Sequence, residues 1–159
     1  MTPSRPGASV RPEPTPAEVE AYHELCGYTL SLGDAEFIHQ YVVDVWALQR
    51  ARPDGKPVSV AFALAGLFLY LESGFTGRQV QRIHMLLARQ SRTWPTFTLP
   101  EARGSLTALD VMATAPGQPR SAAIHAWCTS VWQAYAASHA AVRALLERHG
   151  ITHARSTSR

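Results

Sequence analysis

Four residues near the C-terminal end have the types and spacing that chemistry needs. Cys128, Trp132, Tyr135 and His139 fall at i, i+4, i+7 and i+11, which on a helix places them within one narrow arc. That arc coincides with the apolar stripe of Ile124, Val131, Val142 and Leu146, so His139 is predicted to face the core or a pocket. An imidazole in a pocket can bind a ligand or move a proton. An imidazole in a core needs only a hydrogen-bond partner, and Tyr135 stands one turn away. A second anomaly lies between residues 34 and 51. There Ile38, Tyr41, Val42, Val45, Trp46 and Leu48 form a broad apolar face, and Gln49 falls near its middle. A buried amide must be bonded to something. His39 sits at the edge of that face, beside Trp46, while Asp44 points about 140° away from His39 at 100° per residue. The two are therefore not an acid–base pair on one face, and Asp44 is expected to be a surface charge or a contact to another segment. With His84 at the border of a further inward face, the candidate ligand-binding residues are His39, Gln49, His84, Trp132, Tyr135 and His139.

Metal chemistry has one candidate set. His23 and Cys26 are three residues apart, as are His125 and Cys128. Two such pairs on facing helices would supply a tetrahedral zinc site, although any helical i, i+3 pair meets that spacing. Arg78, Arg82, Arg89 and Arg92 form a stripe opposite Val80, Ile83 and Leu87. Such a stripe suits phosphates or an acidic partner and equally suits the solvated face of an amphipathic helix. The sequence contains no Gly-rich phosphate loop, no nucleophile elbow and no His-Glu-x-x-His pattern, so none of those motifs points to a reaction class.

The chain around these residues has 159 positions and a formal charge of +3. Its pI of about 9.2 raises nucleic-acid binding as a class. The distribution of charge argues against it: Arg5, Arg11, Arg155 and Arg159 lie in the tails, and residues 16–150 carry 11 basic and 11 acidic residues. A nucleic-acid surface usually concentrates basic charge on a folded face. Both cysteines lie in apolar helical patterns, which predicts buried thiols in a reducing compartment, the cytoplasm. The N-terminal residues lack the apolar run of a signal peptide. The longest apolar stretch, 58–71, is too short to span a bilayer.

Six helices are predicted to position these side chains. Residues 1–14 read as a disordered tail. Thr15, Pro16 and Glu18 make a helix start, with Gly27 a stop after Cys26. Asp34 can cap a second helix running to about Ala51, and 52–57 is a turn by its chemistry. Residues 58–73 are apolar all round, as in a helix packed on several sides. Thr76 with Gln79 starts a fourth helix, to about Arg92. Trp94, Phe97 and Leu99 pin the loop that follows. Thr107 with Asp110 starts a short helix, and 121–149 reads as one long helix before a second tail at 151–159. The expected fold is all-α, a compact bundle of five or six helices spanning 15–150 as one domain around the central 58–71 helix.

Several runs carry a resemblance. They are residues 22–30 (Tyr22 to Leu30), 37–44 (Phe37 to Asp44), 74–81 (Gly74 to Gln81), Trp94-Pro95 and 126–132 (Ala126 to Trp132). Together they resemble a bacterial family known only as domain of unknown function 5946, over about residues 16–146. The resemblance implies a small bacterial cytoplasmic protein and no particular activity. The family's recurring pattern is a His, an Asp five residues on, then a Gln and often a His. It falls here on His39, Asp44, Gln49 and Arg50. The Arg departs from the pattern and takes away a ligand from any metal site that uses the last position. Function is expected to be a non-catalytic binding or interaction module, with a protein partner, self-association or a small molecule as the contact. Exposed aromatic residues of the 93–105 loop, or a bare face of the last helix, are the candidate surfaces. The alternative is a metal- or histidine-dependent enzyme with His39, Gln49 and His139 lining its pocket.

Overall fold

The computed structural model describes residues 13–151. Of the two expected tails, residues 1–12 and 152–159 lie outside the described residues. The rest is all-helical and compact, with seven α-helices and no strand among the described residues. They are α1 (Pro16–Ser31), α2 (His39–Gln49), α3 (Pro57–Ser73), α4 (Gly77–Gln90), α5 (Ala108–Met112), α6 (Gln118–Ala134) and α7 (His139–Arg148). Among the described residues no helix is long and apolar enough to cross a membrane.

Three starts follow the capping chemistry of the sequence. Thr15 with Glu18, Thr76 with Gln79 and Thr107 with Asp110 each form a reciprocal capping box, which satisfies backbone N–H groups that a helix start leaves unpaired. Pro57 takes the first turn of α3, where its missing N–H costs nothing. Three boundaries differ from the sequence pattern. Gly27 does not stop α1, which continues to Ser31. α2 begins at His39 rather than after Asp34. Asp34 still works at this junction, its carboxylate accepting from the Ile38 N–H at 3.1 Å. The intervening turn docks on the start of α4, where the Arg78 N–H donates to the Glu36 carbonyl at 2.9 Å. Gly77 makes that approach possible, because a Cβ there would lie 1.9 Å from the Phe37 carbonyl oxygen.

The third difference is the largest. The expected single helix over 121–149 is broken into α6, a short 3₁₀ turn (Ala136–Ser138) and α7, which brings the count to seven. The imidazole of His139 bonds the Trp132 carbonyl at 2.8 Å, and that carbonyl also accepts from the Tyr135 N–H at 3.1 Å. An unbroken helix would give it to the N–H of residue 136. The break lets α6 pack on α2, α3 and α5 while α7 packs on α3.

The interior rests on two neighbouring helices. α2 packs against α1, α3, α4 and α6, and α3 packs against α2, α4, α6 and α7. Residues 63–69 of α3 are all buried. The 93–105 loop turns its apolar side chains inward: Phe97 is buried, and Trp94 meets Phe62 edge-on at 5.0 Å.

Candidate functional site

Burial of α2 on several sides carries Asp44 into the interior. The residue is 4% exposed. The surface position considered from the sequence is thus replaced by the other reading, a contact to other segments. Its Oδ1 accepts from Gln40 Nε2 at 3.1 Å, and its Oδ2 has no hydrogen-bond partner. Gly66 of α3 stands opposite. A Cβ on Gly66 would sit 2.0 Å from Asp44 Oδ2 and 3.3 Å from Nε2 of His84. The glycine therefore lets a carboxyl from α2 and an imidazole from α4 meet at the backbone of α3. His84 bonds the Phe62 carbonyl through Nε2 at 2.7 Å, and its ring stacks on Phe62 at 4.9 Å.

Desolvation dominates the electrostatics of this cluster. It pushes the Asp44 carboxyl well above 3.8, opposed by the Gln40 hydrogen bond. It pushes the Cys128 thiol up, with the nearby Asp44 charge adding to the effect. The Tyr22 hydroxyl is raised by burial and by its bond to Cys26, with a smaller contribution from Asp44. Burial also lowers His84, opposed by its bond to Phe62. All of these shifts favour neutral forms, as a low-dielectric interior demands. The arrangement can hold a neutral acid and a neutral imidazole side by side.

The six ligand-binding candidates fall into separate settings. Gln49 is fully buried. Its Nε2 donates to the Arg103 carbonyl at 3.1 Å and to the Leu106 carbonyl at 2.7 Å, and its Oε1 accepts from Trp127 Nε1 at 3.1 Å. Tyr135 donates to the Leu48 carbonyl at 2.6 Å, at the same end of α2. His139 stacks on Trp132 at 3.8 Å, and Trp132 Nε1 donates to Glu72 at 3.0 Å. His39 shares a hydrogen bond with the Thr29 hydroxyl through Nδ1 at 2.9 Å, and desolvation lowers its pKa. His84 alone joins Asp44. His39, Gln49 and His139 thus bond to different elements.

The metal candidates are not gathered. Among the described residues no three His, Cys, Asp or Glu side chains are placed to hold a metal ion. His23 is exposed, Cys26 is half-buried, His125 meets the Tyr70 ring edge-on at 5.6 Å, and Cys128 is buried beside the Tyr41 carbonyl. Both cysteines are free thiols.

One important residue escaped sequence reasoning. Arg103 is 4% exposed and turns its guanidinium onto the carbonyls of Leu48, Gln49 and Ala51, with Nε donating to Pro100 at 2.8 Å. It closes the C-terminal end of α2, where a cation meets the negative end of the helix dipole. An arginine within a Pro- and Gly-containing loop gives no periodic signal of that role.

An open concavity lies elsewhere, over the turn between α2 and α3. A cleft of about 390 Å³ has Pro53, Pro57, Val60, Phe97 and Leu99 among its lining residues. A second, of about 310 Å³, reaches Trp46 and Ala47. The two adjoin, sharing Arg52, Gly55, Lys56 and Val60. Arg52 pairs with Glu13 and Asp54. Arg50 pairs with Glu18.

An all-helical fold whose inward polar side chains bond mostly to backbone carbonyls, with a shallow groove beside a turn, defines a class by architecture and not by reaction. Over residues 10–136 the chain matches the model of a family of unknown function, DUF5946, and it belongs to that family. No curated protein and no solved structure matches the chain.

Proposed function

We propose that the protein is a non-catalytic binding module that takes an apolar ligand with an anionic group in the groove over the α2–α3 turn. The observation that carries this reading is the pair of adjoining clefts, with a floor of Pro53, Pro57, Val60, Phe97 and Leu99 and the cation of Lys56 at the rim. Small-molecule sites are concave, mostly apolar and marked by a few polar groups, with volumes of roughly 300–1,000 Å³. Lys56 has no charged partner among the described residues, so its ammonium is available to a carboxylate or phosphate. Free thiols at Cys26 and Cys128 suit a reducing compartment such as the cytoplasm.

The alternative, a metal- or histidine-dependent enzyme built on His39, Gln49 and His139, has weaker support. Both donors and the carbonyl of the Gln49 amide are already used.

Calorimetric titration with decanoate tests the groove, with decyltrimethylammonium as the control of opposite charge. Saturable binding of decanoate alone is expected. Lys56→Glu should weaken it about tenfold, and Thr96→Trp, which fills the cleft from an exposed position, should abolish it. Equal binding of both amphiphiles, or decanoate binding that neither variant changes, would overturn the reading.

A further inference from the structure

Two surfaces far apart in sequence carry opposite charge at the same spacing. On α4, Arg78, Arg82, Met85 and Arg89 recur at i, i+4, i+7 and i+11 and form one stripe. All four are exposed. Met85 is 53% exposed and its neighbour Leu86 37%, so an apolar knob sits in the middle of a basic face. Single exposed apolar residues are ordinary, but an apolar patch rimmed by charge marks a contact surface.

The second surface is a groove of about 460 Å³ between α1 and α5. Ala17 and Ala21 keep its α1 side shallow, Leu109 and Met112 supply apolar surface from α5, and Glu20 and Glu24 add negative charge. Leu109 is 42% exposed. Glu20 and Glu24 stand one turn apart, about 6 Å along the axis, the same separation as Arg78 and Arg82. Among the described residues none of Glu20, Glu24, Arg82 and Arg89 has an ion-pair partner.

We infer that α4 of one copy of the protein docks in the α1–α5 groove of a second copy, with Met85 against Leu109 and Met112 and the α4 arginines against Glu20 and Glu24. Charge complementarity and matched helical spacing select a second copy, since the chain itself carries both halves. Small residues at 17 and 21 allow a helix to approach closely. The groove and the stripe are different surfaces, so the contact is heterologous, and each bound copy keeps one free half. A single helix in a groove buries less than the roughly 1,200 Å² of a stable interface, so the association is weak. Its charged part is screened by salt.

Sedimentation velocity on the full chain provides the test. At low salt the mean mass should rise with concentration beyond that of two chains, and in about 0.5 M salt it should return towards the monomer. Two double variants at exposed positions then separate the halves. Glu20→Gln with Glu24→Gln disables the groove, and Arg82→Gln with Arg89→Gln disables the stripe. Each alone should remain monomeric with an unchanged circular dichroism spectrum. Mixed in equal amounts, they should form a species of two chains that grows no further, because the intact stripe of one meets the intact groove of the other. A wild-type monomer at every concentration would overturn the inference and leave the groove to a different basic partner. Association unaffected by either variant, or a mixture that stays monomeric, would overturn it as well.

Discussion

Gln49 and Asp44 lie five residues apart on the same helix, both buried, and the interior treats them in opposite ways. Gln49 has a partner for each part of its amide and joins α2 to the Arg103–Leu106 loop and to Trp127 of α6. Asp44 has one donor, Gln40, and an oxygen without a hydrogen-bond partner among the described residues. A polar group in a core rigidifies it when fully bonded and costs free energy when it is not. Gln49 therefore acts as a fastening between three segments. Asp44 is accommodated by the missing side chain at Gly66, and its burial disfavours the charged form.

The sharpest way to test that difference is to remove the fastening. Gln49→Leu leaves Trp127 Nε1 and the carbonyls of Arg103 and Leu106 without their partner. At about 1–3 kcal/mol for each buried group left unpaired, the loss should reach at least about 3 kcal/mol in urea unfolding followed by circular dichroism. A loss below about 1 kcal/mol would mean that water replaces the amide and that the two residues are more alike than their contacts indicate. On the other side of the comparison, Gly66→Ala should cost about 1–3 kcal/mol by overpacking, since the new methyl would meet Asp44 Oδ2 at 2.0 Å. Much of that cost should disappear in an Asp44→Ala background, giving a coupling of about 1 kcal/mol in a double-mutant cycle. No coupling would show that the helices move apart instead.

The two residues were also unequally legible. An apolar face with an amide at its middle announced that Gln49 needed a partner, because helical period alone fixes which side of α2 it occupies. The partner could not be read, since the carbonyls of residues 103 and 106 reach it through a loop without periodicity. Asp44 lay outside the one face that the pattern of α2 displayed. Its burial comes from α1, α3, α4 and α6 together, and a single helix cannot report how many neighbours surround it. Three of the seven helix starts were visible as capping boxes. The break between α6 and α7 was not, because the apolar stripe continues across it and the side-chain bond from His139 to the Trp132 carbonyl that accompanies it leaves no mark on that pattern. The groove over the α2–α3 turn was legible only as a turn, since concavity depends on the loop carrying Phe97 and Leu99.

Charge is where the comparison is finest, because Gln49 cannot ionise and Asp44 can. Gln40, Tyr22, His84 and Cys128 face the carboxyl from α2, α1, α4 and α6, and Gly66 covers it from α3. None is a cation that would hold it ionised, and burial pushes it well above 3.8. The unfolded chain therefore loses this proton at lower pH than the folded chain does. The stability that depends on it is complete below 3.8 and is lost as pH rises through the folded-state value. Asp44→Asn, neutral at every pH, has no such loss. The stability of the wild type minus that of Asp44→Asn should thus fall as pH rises above about 4 and then level off. His84 works in the opposite direction: lowered from 6.5 by burial, it loses its contribution as pH falls, so it cannot produce a fall as pH rises. Adding Gln40→Leu to both proteins refines the measurement. The Gln40 bond draws the Asp44 value down, so without it the same fall should extend to higher pH, with a direct cost of about 1 kcal/mol or less for one half-buried hydrogen bond. Parallel pH profiles for wild type and Asp44→Asn would mean that the folded protein carries Asp44 ionised, and the contrast with Gln49 would then be one of partners alone.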